Sequence, residues 1–267
     1  MRIIDPHIHC YSRTTDDYER MALAGIEAVV EPSFWLGSPR TSVGTYVDYF
    51  EHMIGYERQR AAAYGITHFC TVSMNPKEAN NRPLADQVVE LLPDYLKREG
   101  VVALGEVGLD RITPDEEEIL RRQLLIAKQL GCPVIIHTPH QYKKVGVEKT
   151  LAIIEEVELD HERVVMDHNT EETMPLMARY PKMWRGITVY PTTKLSIERG
   201  ANIAQQFGVE RLLINSSADW GPSEPLSVPR VAHELVRRGM PREQVQQLVF
   251  DNPIAFYSQS PRFTFKR

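Results

Sequence analysis

Apolar positions along this chain follow two alternating rhythms. Short runs rich in Val, Ile and aromatic residues predict strands at roughly 2–9, 26–34, 66–73, 101–107, 133–138, 163–168, 184–190 and 211–216. Between them, apolar residues recur at helical spacing near 15–24, 42–64, 83–99, 115–130, 146–157, 171–179, 196–207 and 227–238. A last helix is predicted near 241–258, with Pro241 at its first turn.

The punctuation agrees with this alternation. Thr113-Pro114-Asp115-Glu116-Glu117-Glu118 offers a cap, a proline suited to a first turn and acidic residues favoured by the helix dipole. Gly65, Gly100, Gly131 and Gly208 each stand between a helix and the next strand, as αβ loops require. Continuous apolar runs such as Val134-Ile135-Ile136 suit strands buried on both faces, hence a parallel sheet covered by helices. Eight βα units in 267 residues fit one (β/α)8 TIM barrel, a single domain over 1–267 with no linker or low-complexity segment. A doubly wound open sheet is the structural alternative.

Composition narrows the setting. A net charge of −5 gives no global basic field to attract polyanions. No apolar run reaches the roughly 20 residues of a membrane helix. Met1-Arg2-Ile3-Ile4 meets Asp5 too soon for a secretory leader. Cys10, Cys70 and Cys132 therefore read as free thiols in a reducing, cytoplasmic compartment.

The candidate chemistry lies at the ends of the predicted strands. His7 and His9, two apart on one strand, would share a face and suit a divalent ion, and Asp5 could either orient one ring or cap the barrel end. Glu106 interrupts an apolar strand, which is costly unless the carboxylate is paired or metal-bound. His137 and His168 end consecutive strands, and Asp219 follows the eighth. Each has a plainer reading, as a core histidine, a buried ion pair or a turn aspartate. A parallel barrel gathers all of these strand ends at one mouth, so together they predict a metal-dependent hydrolase with Asp219 as ligand and proton acceptor. Cys10, next to His9, should point away from that face.

The set H-x-H at 7–9, Glu106 in Gly105-Glu106-Val107-Gly108-Leu109-Asp110, His137 after Val134-Ile135-Ile136, His168 and Asp219 resembles the TatD-related hydrolases of the amidohydrolase superfamily. The resemblance runs from Asp5 to the Asn252-Pro253 region. It implies two divalent ions, Zn, Mn, Mg or Fe, with His7, His9 and Asp219 on one, His137 and His168 on the other, and Glu106 between them. Deoxyribonuclease-type phosphodiester hydrolysis is the leading expectation from that family. The chain departs from the pattern after His168, at Asn169-Thr170-Glu171, and before Asp219, at Ser216-Ser217-Ala218. Both departures concern substrate-facing loops.

Arg111, His140, Tyr142 and Lys143 are candidate substrate contacts in loops after the fourth and fifth strands. Phe34, Trp35, Tyr142, Tyr190 and Trp220 would suit an apolar pocket instead. An open basic groove would favour nucleic acid, and a lidded aromatic pocket a small amide, lactone or phosphoester. A metal-binding scaffold without chemistry is the non-enzymatic alternative, and no stable protein partner is indicated.

Overall fold

A computed structural model describes residues 1–266. Eight strands form one parallel sheet in sequence order: β1 Ile3–Asp5, β2 Ile26–Pro32, β3 Thr67–Val72, β4 Val101–Gly108, β5 Val134–His137, β6 Val164–Met166, β7 Trp184–Thr188 and β8 Leu212–Asn215. The ends meet just beyond the strands, where Ser217 N donates to His7 O at 2.8 Å and His9 N donates to Ala218 O at 3.0 Å. The sheet is thus a (β/α)8 TIM barrel rather than an open doubly wound sheet.

Inward-facing strand residues, among them Ile4, Val30, Phe69, Val102, Ile135, Val165 and Leu213, pack as one cluster with Phe250, Phe256 and Tyr257 of the C-terminal segment. The barrel interior is therefore filled with apolar side chains, and polar groups are left to its C-terminal mouth. Two further apolar clusters fill the space between sheet and helices.

The sequence-based boundaries hold for most elements and fail for reasons of local chemistry. The helix Pro114–Leu130 starts where Thr113 Oγ1 accepts from Glu116 N at 3.2 Å, and ends at left-handed Gly131. β1 stops at Asp5, so His7 and His9 are not strand residues as predicted; Pro6 has no N–H to continue the ladder. The helix expected at 42–64 runs as Val43–Glu51, a π-helical turn His52–Glu57 and Arg58–Ala62, with Gly55 inside the turn. Of the helix expected at 171–179, only Met174–Met177 forms. The tail helix divides into Arg242–Gln246, Gln247–Asp251 and Asn252–Tyr257, with Pro253 removing a donor.

Candidate metal centre

The mouth brings five of the six predicted side chains into mutual contact and holds the sixth at its edge. Asp5 Oδ1 accepts from His7 N at 3.2 Å and from Ser216 N at 3.3 Å, so it caps the barrel end and does not touch either ring. That brace lets His7 and His9 converge without a strand: their Nε2 atoms stand 3.2 Å apart. Glu106 lies where the β4–β5 register shifts between Leu104 and Val107. Thr71 Oγ1 donates to Gly105 O at 2.6 Å and Ser73 Oγ to Glu106 O at 2.7 Å, fixing the bulged backbone so that the carboxylate points inward. Gly108 is needed beside it, since a Cβ there would meet His137 O at 2.2 Å.

Glu106 turns its two oxygens to different partners. Oε1 lies 2.8 Å from His168 Nε2 and 3.2 Å from His137 Nδ1. Oε2 lies 3.6 Å from His7 Nε2 and 3.9 Å from His9 Nε2. All five residues are buried.

Hydrogen bonds behind the rings assign their tautomers. His7 Nδ1 donates to Asp167 Oδ2 at 2.6 Å, and His9 Nδ1 faces Pro32 O at 3.3 Å. Asn215 Nδ2 donates to both Asp167 oxygens at 3.0 Å, which leaves its carbonyl oxygen to accept from Thr188 Oγ1 at 2.8 Å. The Thr188 hydroxyl has then used its proton and must accept from His168 Nδ1 at 2.6 Å. His168 Nε2 consequently presents a lone pair to a carboxylate oxygen at 2.8 Å. One buried carboxylate, Asp167, orients His7 directly and His168 through Asn215 and Thr188.

Charge follows the same geometry. Burial and the adjacent His7 lower the His9 pKa to about 3. Burial and the nearby Lys194 ammonium lower His168 well below the ordinary range, so both rings are neutral donors. Burial alone would raise Glu106, but the neighbouring His7 and the hydrogen bond from His137 outweigh it and hold the carboxyl well below its usual value. Burial alone would also lower His7, yet Glu106 and Asp167 outweigh it and raise its pKa. The protein alone thus keeps an anionic carboxylate among imidazoles and attracts positive charge to the point where they meet.

Asp219 lies beyond β8, with Oδ1 accepting from Tyr190 OH and from Gly221 N, both at 2.8 Å. The second contact is the aspartate turn that Trp220-Gly221-Pro222 suggests. Oδ2 carries no hydrogen bond among the described residues, and Asp219 lines the same cavity as Glu106, His137 and His168. Arg13 donates to the Asp219 carbonyl and fixes the loop. The Phe34 ring stacks on His9 with centroids 4.1 Å apart, and Trp35 packs edge-on against Phe34.

The inner cavity is small, about 110 Å³, and is walled by Phe34, Trp35, Tyr190, Thr193 and Lys194 as well as the polar groups. A larger outer basin of about 380 Å³, lined by Asp110, Arg111, Gln141 and Tyr142 among others, shares Lys77 and His140 with it. His140 therefore borders both spaces, while Arg111 and Tyr142 face only the outer one. Lys143 is committed elsewhere, donating to Thr138 Oγ1 at 2.9 Å and to His168 O at 3.1 Å. The Cys10 side chain is packed in an apolar cluster, and burial together with Glu31 and Glu57 pushes its thiol well above the ordinary range. It is a poor nucleophile. Sequence reasoning missed Asp167 and Lys194: Asp167 was hidden beside a more conspicuous histidine, and Lys194 lies in a turn after β7 with no periodic signal.

Comparison with known proteins identifies the family and the fold. The model of the TatD-related DNase family matches residues 4–258. An uncharacterized metal-dependent hydrolase from Methanocaldococcus jannaschii is 31% identical over 258 residues, covering 96% of this chain and 99% of the relative. The crystal structure of a TatD-like protein from Archaeoglobus fulgidus is 25% identical, covers 96% of this chain and 99% of its own, and superposes with a TM-score of 0.78. A lactonase from Listeria monocytogenes shares the fold at 14% identity, covering 100% of this chain and 95% of its own, with a TM-score of 0.66. With the family model spanning nearly the whole chain, the protein belongs to the TatD-related DNase family of metal-dependent hydrolases.

Proposed function

We propose that the mouth holds two divalent ions and hydrolyses small ester substrates with an activated water. The observation that carries this reading is the Glu106 carboxylate, which turns Oε1 to His137 and His168 and Oε2 to His7 and His9. The donor set fits such ions on two further counts. The lone pair of His168 Nε2 facing a carboxylate oxygen at 2.8 Å is repulsive unless a cation lies with them. His137 Nε2 is buried without a hydrogen-bond partner. Imidazole and carboxylate ligation suits Zn, Mn or Fe and admits Mg.

His7, His9 and Asp219 would hold one ion, His137 and His168 the other, with Glu106 between. When bound, such ions lower the pKa of a coordinated water from about 15.7 toward about 7, which provides a nucleophile at neutral pH. The chain's own residues do the rest. Asp219 Oδ2 accepts the proton lost during attack and can return it to the leaving group, while Tyr190 and Gly221 keep Oδ1 in place. Asp167 keeps His7 and His168 in the ligating tautomer. Phe34 covers His9 and limits water on that side.

Substrate size follows from the cavity. A space of about 110 Å³ beside Glu106, roofed by Phe34 and Trp35, suits the end of a small molecule better than a continuous polymer groove. The family description favours the second reading, deoxyribonuclease-type phosphodiester hydrolysis, with Arg111 in the outer basin as a backbone contact. Turnover of DNA, aryl phosphodiesters, lactones and aryl esters by protein loaded separately with Zn, Mn, Mg or Fe distinguishes the two. Rapid small-ester hydrolysis with DNA untouched is the expected result, and DNA cleavage exceeding small-ester turnover would reverse the order.

A further inference from the structure

The catalytic reading does not use Lys194, whose ammonium is enclosed at the mouth. Its Nζ donates to Ser217 Oγ at 3.1 Å and stands 3.4 Å from His168 Nδ1, the nitrogen already given to Thr188. Among the described residues it forms no ion pair, unlike Lys77, which is paired with Asp110 at 3.1 Å. A half-buried ammonium held by one neutral hydroxyl and by the face of Tyr190, 5.6 Å from its centroid, is incompletely compensated. Carboxylates do lie in the neighbourhood, but Glu106 accepts from His137, Asp167 from His7 and Asn215, and Asp219 Oδ1 from Tyr190 and Gly221.

The surroundings add to this charge. Lys194 lines the inner cavity together with Lys77, and Lys143 is held close by through the His168 carbonyl. In a chain with a net charge of −5, Lys77 and Lys194 are a local grouping that faces Glu106 and Asp219 across the same cavity. Thr193 beside it offers a hydroxyl donor. The enclosing aromatic rings lower the local dielectric, which strengthens any ion pair formed there.

We infer that Lys194 seats an oxyanion of the substrate, and that the substrate class is a small ester bearing a phosphate or carboxylate group beside the scissile bond. The remainder of the substrate extends past Lys77 and His140 into the outer basin. This inference rests on the hydrolase reading above and supplies its substrate chemistry. Lys194 acts here as a specificity residue: it binds a spectator charge and takes no part in proton transfer.

The test compares wild type with Lys194→Met and Lys194→Arg, each with metal content measured and melting temperature checked. Kinetics use three aryl esters with one leaving group: p-nitrophenyl 3-phosphonopropanoate, mono-p-nitrophenyl succinate and neutral p-nitrophenyl acetate. Lys194→Met should raise KM for the favoured anionic ester by about tenfold or more relative to the KM of the neutral ester measured on the same variant, and Lys194→Arg should recover much of that difference. Which anionic ester responds tells phosphate from carboxylate. An equal effect on neutral and anionic esters overturns the inference. Calorimetric titration of inorganic phosphate and of acetate into the metal-loaded proteins provides a separate readout. Affinity for both anions unchanged in Lys194→Met also overturns it. Absence of turnover on every ester counts against the hydrolase reading, while the binding titration still decides the role of Lys194.

Discussion

Asp167 Oδ2 accepts from His7 Nδ1 at 2.6 Å, joining the loop after β6 to the segment after β1 across 160 positions of chain. The same carboxylate anchors Asn215 and, through it, Thr188 and His168. Replacing it by asparagine puts an N–H donor or a weaker acceptor where His7 requires a strong acceptor. Asp167→Asn should therefore weaken metal binding by about 10- to 100-fold, measured by calorimetry or competition with a chelator. Unaltered affinity would remove Asp167 from the site.

Gly186 on β7 tests the same feature from the other side. A Cβ there would come within 2.2 Å of Asp167 Oδ1 and 2.7 Å of its Cγ. Gly186→Ala should displace the carboxylate, lower metal affinity in the same direction as Asp167→Asn, and destabilise the fold by about 1–3 kcal/mol. Chelator competition and denaturant unfolding measure the two effects separately.

Asp219 is the proposed proton acceptor and contributes one ligand among several. Asp219→Asn should reduce kcat by about 10²–10⁴-fold. Most of the metal should remain, as read by elemental analysis after gel filtration. Loss of metal in parallel with activity would reassign the residue from proton transfer to metal retention.

Asp5 predicts a pH dependence of folding. Burial raises its carboxyl from the ordinary aspartate value to about 7, against weaker opposing hydrogen bonds from Ser216 and His7, and its Oδ2 has no partner. A carboxyl whose folded pKa lies above its unfolded one stabilises the protein in acid and loses that contribution as pH rises through the folded value. The metal-free protein should accordingly lose stability from this group between pH 4 and about 7. Asp5→Asn retains the Oδ1 acceptor and should flatten that slope, gaining on the order of 2 kcal/mol over wild type at pH 8 relative to pH 5. Chemical unfolding with chelator present, at a series of pH values, measures it.

Much of this architecture is legible in the sequence because it rests on repetition. Eight apolar runs separated by helical stretches predict eight strands, and the structure has them in order. His137 and Glu106 were conspicuous because a polar side chain interrupting β-branched runs has few inexpensive explanations. What stayed hidden depends on contacts between distant segments. Asp5 had two possible roles in the sequence, and only the approach of Ser216 selects one. Asp167 reads as an ordinary strand-end residue until Asn215 and His7 are beside it. Lys143 reads in the sequence as a candidate substrate contact, but Thr138 and the His168 carbonyl hold its ammonium. Pro6 could have revealed that β1 ends before the histidines, since it breaks the donor ladder.

The hydrogen bonds that close the barrel, Ser217 to His7 and His9 to Ala218, join the two segments that carry His7, His9 and Asp219. The seam of the cylinder and the reactive centre are thus one place. An ion shared by His7, His9 and Asp219 would be a clasp between the first and last strands, binding only the closed form. At a hundredfold excess over its dissociation constant it would add about 2.7 kcal/mol to the folded state. For this chain, loading the centre and fastening the cylinder would be a single event.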